Sequence, residues 1–406
     1  MHRTVAAFAA IVLGAFGQQP GDSLPPWTPG TLDIHQINTG RGNSAFLHFP
    51  DGTTMLLDAG ELGATGPRYT SPRPDASRTP GDWIARYIRH MLAQDPSPVL
   101  DYAYLTHFHD DHMGGNPAAK SGKGGYKLTG ITEVGEQLPI RTMIDRGWPD
   151  YNYPAPLTGP MMENYRAFLS WQSKNNSMKV ERLQPGRNDQ IVLRRDHARY
   201  PNFEVRNIAA NGEVWTGVAT VARAQHPRIA DLKPEDYPTE NMCSLVIRIS
   251  YGKFDFYSGG DIPGVRRDDD PPWRDMETPV AKAVGPVEVA VTDHHGNRDS
   301  QSAFFLSVLR PQVILEPVWS SDHPGHDVLD RMLSQRTYPG PRDIFATNML
   351  EANRLVIGPL LDRLKSAQGH IVVRVAPGGD TFRVFILDDT AETYRIQSVH
   401  GPYQSR

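Results

Sequence analysis

Ten consecutive residues constrain this chain more than any other stretch: Thr106-His107-Phe108-His109-Asp110-Asp111-His112-Met113-Gly114-Gly115. Three imidazoles and two carboxylates fall within six positions, directly after an apolar, strand-like run from Val99 to Leu105. Side chains alternate along an extended segment, so a strand running out at Leu105 points His107 and His109 to one side. A turn beyond them brings Asp111 and His112 back toward the same centre. Imidazole and carboxylate suit borderline divalent ions such as zinc, and two groups of such ligands hold two ions. The competing reading is a solvated polar loop. The H-x-H-x-D-H spacing, followed by Gly-Gly and preceded by a strand, argues against it.

Further polar residues stand at the ends of apolar segments. Ser44–Phe49 and Thr53–Asp58 flank Pro50-Asp51-Gly52, a hairpin signal that leaves Asp58 at a strand end. A second hairpin, Leu245–Ser250 and Phe254–Tyr257 about Tyr251-Gly252, delivers Ser258-Gly259-Gly260-Asp261. Its two glycines let the backbone approach a buried centre closely. The strand Val287–Val291 carries Thr292-Asp293-His294-His295-Gly296 at its end, and Ser320–His326 holds His323 before Pro324, which suits the first turn of a helix to Leu333.

The 406 residues bear a formal net charge of −4, which gives no global electrostatic footprint for nucleic acid. His2 and Arg3 precede an apolar run, Val5–Phe16, ending in small residues. This reads as an export signal over residues 1–17, too short to span a bilayer, with a proline-rich mature tail over 18–30. Cys243 is the single cysteine and excludes an internal disulfide.

Between these motifs the chain alternates strand and helix, the pattern of layered α/β architecture. Leu32–Asn38 reads as a half-buried strand, and Asp82 as the cap of a helix to Gln94. The Gly-rich stretch Asn116–Ile140 reads as a long active-site loop, with Arg141–Gly147 a strand running into a turn. There Asp145 or Arg146 faces either substrate or the surface. A helix is expected over Met161–Ser173, and strands over Gln190–Leu193 and Phe203–Ile208. Gly264–Val284 reads as an exposed acidic insertion, and Ser302–Leu309 as a short helix. A helix near Leu355–Leu364 and strands His370–Val375 and Phe382–Leu387 are expected to finish the second half of a sandwich.

The H-x-H-x-D-H run resembles the signature of the metallo-β-lactamase superfamily. Asp33–Ser44, Thr54–Gly60, Asn241–Asp261, Val289–Asn297 and His323-Pro324 narrow the likeness to the extracellular hydrolase domain of ComEC/Rec2-type DNA-uptake proteins. These segments run in the family's order over residues 31–330. The resemblance implies a four-layer αββα sandwich over residues 31–406, with the C-terminal elements completing it. It implies two divalent ions, zinc first and manganese as the alternative. His107 and His109 would hold one ion; Asp111, His112 and one of His294 or His295 the other; Asp261 would bridge them. Asp58 would orient a ligand from beneath. Many superfamily members carry a further histidine for the first ion, which has no counterpart here; Asn241 is the candidate metal or substrate contact in its place.

The implied chemistry is hydrolysis by a hydroxide bridging the ions, with Asp111 and His323 assisting and His323 acting as acid or oxyanion donor. The branch favours a phosphodiester or related ester, in nucleic acid or the cell envelope. A lactone, thioester or β-lactam substrate is the alternative, and a degenerate secreted metal-binding scaffold is the reading from another class. Trp148, Tyr151, Tyr153, Trp273 and Trp319 stand near the implied mouth, either to stack a ligand or as ordinary packing. The remaining histidines read as surface or packed residues.

Overall fold

Most strands of this chain are apolar on both faces, a pattern that needs cover on two sides. The computed structural model describes residues 17–406, so the expected export signal falls outside the described residues but for Gly17. The first six strands are β1 (Leu32–Gln36), β2 (Ala45–His48), β3 (Thr54–Leu57), β4 (Leu100–Tyr104), β5 (Ile140–Asp145) and β6 (Lys179–Arg182). Then come β7 (Phe203–Ala210), β8 (Glu213–Trp215), β9 (Ala222–Ala224), β10 (Val246–Tyr251), β11 (Phe254–Ser258), β12 (Val289–Val291), β13 (Val313–Glu316) and β14 (Asp343–Ala346). The last three are β15 (His370–Val375), β16 (Thr381–Leu387) and β17 (Ile396–Gln404). They form a nine-stranded sheet, β17-β16-β15-β1-β2-β3-β4-β5-β6, and an eight-stranded sheet, β14-β13-β12-β11-β10-β7-β8-β9.

The helices are α1 (Pro80–Met91), α2 (Asp110–Met113), α3 (Ile131–Gln137), α4 (Pro160–Asn176), α5 (Glu277–Val284), α6 (Ala303–Leu309), α7 (His326–Leu333) and α8 (Glu351–Ile357). Three apolar clusters define four layers. Leu47, Leu57 and Tyr104 of the first sheet meet Ile247, Phe256 and Leu315 of the second between the sheets. On the outer face of the first sheet, Ile84 and Ile88 of α1, Val134 of α3 and Phe168 of α4 cover Phe46, Leu56 and Met143. On the outer face of the second, Val280 of α5, Leu306 of α6, Leu329 of α7 and Ile357 of α8 cover Val246, Ala290 and Ile344. Each such fully buried side chain contributes about 1.5–3 kcal/mol. The result is the expected αββα sandwich.

Each sheet holds a parallel run, β3 to β6 in one and β11 to β14 in the other. Ligands in α/β sheets bind beyond the carboxyl ends of such strands. The loops that carry Asp58, His107–His112, Asp261 and His294–His295 all leave from those ends.

Several expectations are corrected. β1 is buried throughout, because Leu32 and Ile34 face the inter-sheet core while His35 bonds Tyr87 of α1 at 2.9 Å on the other side. Pro80 begins α1 and Asp82 lies in its first turn, so Asp82 is not the cap. The stretch Asn116–Ile140 contains α3, whose sequence ITEVGEQ hides it behind a mid-helix glycine. Gln190–Leu193 forms no strand; Ile191 and Leu193 reach the core from irregular backbone. The insertion after Gly264 ends where α5 begins at Glu277. Pro324 precedes α7 rather than lying in its first turn. The C-terminal strands join the first sheet through β15, with Leu32 opposite Val375. Residues 18–30 are tied down, since Gly21 donates to the Ile396 carbonyl and Trp27 stacks on His48. Among the described residues no helix is long and apolar enough to cross a membrane.

Candidate metal centre

Asp58 closes β3 in a left-handed conformation (φ 55°), which is costly for a residue with a Cβ. Four hydrogen bonds hold it there. Its carboxylate accepts the Thr106 backbone N–H (2.8 Å), the Thr106 hydroxyl (2.8 Å), the Asn43 amide (3.0 Å) and the His112 Nδ1–H (2.7 Å). The adjacent backbones touch as well: Asn43 N donates to the Asp111 carbonyl (2.7 Å) and Ala59 N to that of His112 (2.8 Å). A Cβ at Gly60 would lie 1.9 Å from the Asp111 carbonyl oxygen, so only glycine lets the two segments meet.

The strand β4 then delivers His107 and His109, whose Nε2 and Nδ1 atoms stand 3.0 Å apart. The single turn α2 swings Asp111 and His112 back. From the second sheet, β11 ends at Ser258, and Gly260 (φ 59°) turns the chain so that Asp261 points between these groups. Its Oδ1 lies 3.1 Å from His112 Nε2 and 3.6 Å from His295 Nε2. Its Oδ2 lies 3.7 Å from His107 Nε2 and 3.9 Å from His294 Nε2. One carboxylate therefore faces two groups of ligands with different oxygens.

His294 and His295 are both left-handed (φ 46° and 54°), and this consecutive strain throws the two rings to opposite sides of Asp261. His295 joins Asp111 and His112; its Nε2 is 3.1 Å from Asp111 Oδ2 and 3.1 Å from His112 Nε2. His294 turns toward the His107 side, where its Nε2 is 3.3 Å from Asn241 Nδ2 and its Nδ1 is 2.6 Å from Asp299. Ligand atoms of Asp111, His112, Asp261 and His295 all lie within 4.8 Å of one another, as do those of His107, His109 and Asp261.

The chemistry of these atoms fits divalent ions. Asp58 and the Pro317 carbonyl (3.2 Å) each take an Nδ1–H, from His112 and His295, so both Nε2 atoms present lone pairs toward each other and toward two carboxylates. With both imidazoles neutral, as metal ligation requires, only acceptors would converge there. Burial works against charge on Asp261, yet His112, His295, His107 and His294 hold its carboxyl well below the usual range. Burial likewise opposes charge on His112, but Asp261, Asp111 and Asp58 outweigh it and raise that imidazole well above its ordinary value. The pocket demands positive charge.

His323 lies outside both groups. It is buried and stacks on His295 (ring centroids 4.8 Å apart), with Trp319 edge-on at 4.6 Å. Burial first, then His295 and His294, push its imidazole far below the usual value, so it stays neutral. Of the aromatic residues expected near the mouth, Trp319 alone contacts these histidines; Tyr151 is core, and Tyr153 bonds His226 at 2.9 Å. Asp145 and Arg146 are buried, not a surface pair. Asp145 accepts the Tyr151 and Tyr165 hydroxyls (2.7 and 2.9 Å), and Arg146 pairs with Glu240. Glu240 in turn accepts the Phe108 N–H (2.7 Å) between His107 and His109. Nothing in the local sequence signals this contact, because the partners are 132 residues apart. Thr106 and Asn43 lie inside segments the sequence marks, but nothing there signals their bonds to Asp58, and Asp299 is not marked at all.

Asp58→Asn is expected to weaken metal binding about 10–100-fold, since the amide cannot take the His112 proton as the carboxylate does. Metal titration of the variant against the native protein checks this; equal affinities would remove Asp58 from the site's support.

No known family profile matches the chain, and no curated protein does. Among solved structures it is similar to the metallo-beta-lactamase fold protein YhfI from Bacillus subtilis, at a TM-score of 0.34 and 10% identity, over 86% of this chain and 98% of that one. The functional reading therefore rests on the geometry of the chain itself.

Proposed function

We propose that this chain is a dinuclear-metal hydrolase that cleaves a phosphodiester or related ester. The observation that carries the reading is Asp261, whose two oxygens address two separate sets of ligands. His107, His109 and Asp261 would hold the first ion, with His294 and Asn241 on the same side. Asp111, His112, His295 and Asp261 would hold the second. Two divalent ions held by these residues, zinc first by ligand type, would supply Lewis-acid polarisation of a substrate oxygen and a water of near-neutral pKa.

The protein's own groups do the rest. Asp58 and the Pro317 carbonyl fix the tautomers of His112 and His295. Trp319 and His323 wall the second set against water. Of the two roles open to His323, a neutral N–H donor to developing negative charge fits its burial, and an acid does not. The apolar N-terminal sequence supports an exported enzyme.

Turnover of bis-p-nitrophenyl phosphate by the metal-loaded protein tests the reading. Phosphodiester cleavage that a chelator abolishes and added metal restores is the expected result. Inactivity with two ions bound, across phosphodiester, lactam, lactone and thioester panels, would leave only a metal-binding scaffold.

A further inference from the structure

The last residue of β1, Gln36, lies on the inter-sheet face with Leu32 and Ile34, by the two-residue alternation of a strand. An amide buried there is costly unless its polar atoms find partners. Gln36 Nε2 donates to the Ser44 carbonyl (3.0 Å) and to Asn43 Oδ1 (2.8 Å). Asn43 Nδ2 in turn donates to Asp58 Oδ2 (3.0 Å), and the same oxygen takes the His112 Nδ1–H (2.7 Å). Gln36, Asn43, Asp58 and His112 are all buried, so bulk solvent replaces none of these bonds.

Hydrogen-bond polarity holds the two amides the right way round. The oxygen and nitrogen of an amide are close in size, and only the donors and acceptors around them tell one from the other. A backbone carbonyl accepts and never donates. The Ser44 carbonyl therefore requires the nitrogen of Gln36, and that nitrogen requires the oxygen of Asn43. Asn43 then has its nitrogen left for Asp58. Turned over, Asn43 would set Oδ1 against Asp58 Oδ2, two acceptors face to face in a buried place. Asp58 has little margin for that loss, because its hydrogen bonds already hold it in a left-handed conformation (φ 55°).

Closure of the β1–β2 loop does not account for the Gln36–Asn43 bond. Backbone closes that loop: Ile37 N donates to the Ser44 carbonyl (2.8 Å), Asn43 N to the Asp111 carbonyl (2.7 Å) and Gly60 N to the Asn43 carbonyl (2.9 Å). What the Gln36 side chain adds is the orientation of the Asn43 amide. Gln36 is itself held by the C-terminal part of the chain, since it lies opposite Ile371 of β15.

We infer that Gln36 is a positioning residue for the metal centre. It fixes the polarity of the Asn43 amide and, through Asn43 and Asp58, holds the His112 ring with Nε2 toward the second ion. The inference rests on the two-ion reading of the centre. It also gives β15 a part in the site, because that strand carries no candidate ligand but flanks the strand that Gln36 ends.

The experiment is cobalt titration of the full-length apo-protein carrying Gln36→Met, Asn43→Ala or both, beside histidine-selective isotope-labelled NMR of the metal-free chains. Gln36→Met is expected to weaken the ion held by Asp111, His112 and His295 by about 3–10-fold and to leave the other ion unchanged. That is less than the roughly 10–100-fold of losing a ligand's direct partner. His112→Ala identifies which of the two binding steps is affected. The double variant should bind no more weakly than Asn43→Ala alone, because Gln36 acts only through that amide. The His112 Nδ1 proton resonance should shift in Gln36→Met in the same direction as in Asn43→Ala, which a general packing defect at residue 36 does not produce. Gln36→Asn, which withdraws the nitrogen by one methylene, takes the place of Gln36→Met should the latter not fold. Native affinity for both ions in a folded Gln36 variant would overturn the inference, as would losses that add in the double variant. A native chain that binds fewer than two cobalt ions would sink the two-ion centre instead, and the proton resonance, read without metal, still decides whether Gln36 governs His112.

Discussion

Asp261→Ala is expected to cut hydrolytic turnover by about 10³-fold or more and to lower bound metal from two ions per chain. The reasoning runs through the geometry of one carboxylate. Oδ1 approaches His112 and His295, and Oδ2 approaches His107 and His294, so its loss strips an anionic ligand from both sets at once. Among the described residues Asp111 belongs to the other group of ligand atoms, and Asp299 is engaged with His294 Nδ1 rather than grouped with His107 and His109. Metal ions supply several kcal/mol of transition-state stabilisation, and each 1.36 kcal/mol is tenfold in rate, which gives about three decades. Metal content by elemental analysis and turnover of bis-p-nitrophenyl phosphate, measured on the same preparation, check the claim. Two ions retained with near-native turnover would show that Asp261 bridges nothing.

The same geometry explains what the sequence makes legible. The run from His107 to His112 can be read because its ligands are local: strand alternation and one helical turn are enough to gather them. Asp261 can be read because a hairpin and two glycines announce a close approach. The division of labour between His294 and His295 cannot, since it depends on two successive left-handed residues that the sequence Asp293-His294-His295-Gly296 does not advertise. The C-terminal strands show why topology is harder than secondary structure. Val372 and Val384 have the composition of strands, but nothing in either names its sheet. The place of β15 beside β1, and of β16 beyond it, is set by packing, where Val372 and Phe385 join the cluster under α1. Residues Gln190–Leu193 fail in the other direction. They carry a short apolar run but find no ladder partner, and bury Ile191 and Leu193 from a loop instead.

The site also draws on both sheets. Asp58 and His107–His112 come from the first, while Asp261 and His294–His295 come from the second. An ion held between them favours the assembled sandwich over the unfolded chain by mass action, in proportion to the logarithm of its concentration over its dissociation constant. The charge balance of the pocket acts in the same sense, since its carboxylates need positive charge among them.

Arg146→Ala is expected to destabilise the metal-free protein by about 3–5 kcal/mol, the usual cost of leaving one member of a buried ion pair behind. Arg146 is among the largest fully buried side chains of the described residues. Its Nε donates to Glu240 Oε1 at 2.7 Å and its Nη2 to the other oxygen. Nη1 reaches the Asn211 side-chain oxygen (3.0 Å) and the Tyr153 carbonyl (3.1 Å). One guanidinium thus ties the end of β5 to the turn after β7, to the Tyr153 segment and to the residue preceding Asn241. Alanine would leave Glu240 mostly buried with its charge unmatched, free to pull away from the Phe108 N–H it now accepts. The double variant Arg146→Met, Glu240→Met removes both charges and should recover most of the folding stability. It still orphans the Phe108 N–H, at about 1–3 kcal/mol. Its lasting defect should therefore be in metal binding by His107 and His109, whose backbone that hydrogen bond pins. Urea denaturation of the apo-proteins and cobalt titration of the folded variants separate the two effects. A loss under about 1 kcal/mol for Arg146→Ala would refute the ion pair as a structural tie, since ordinary surface pairs contribute no more than that.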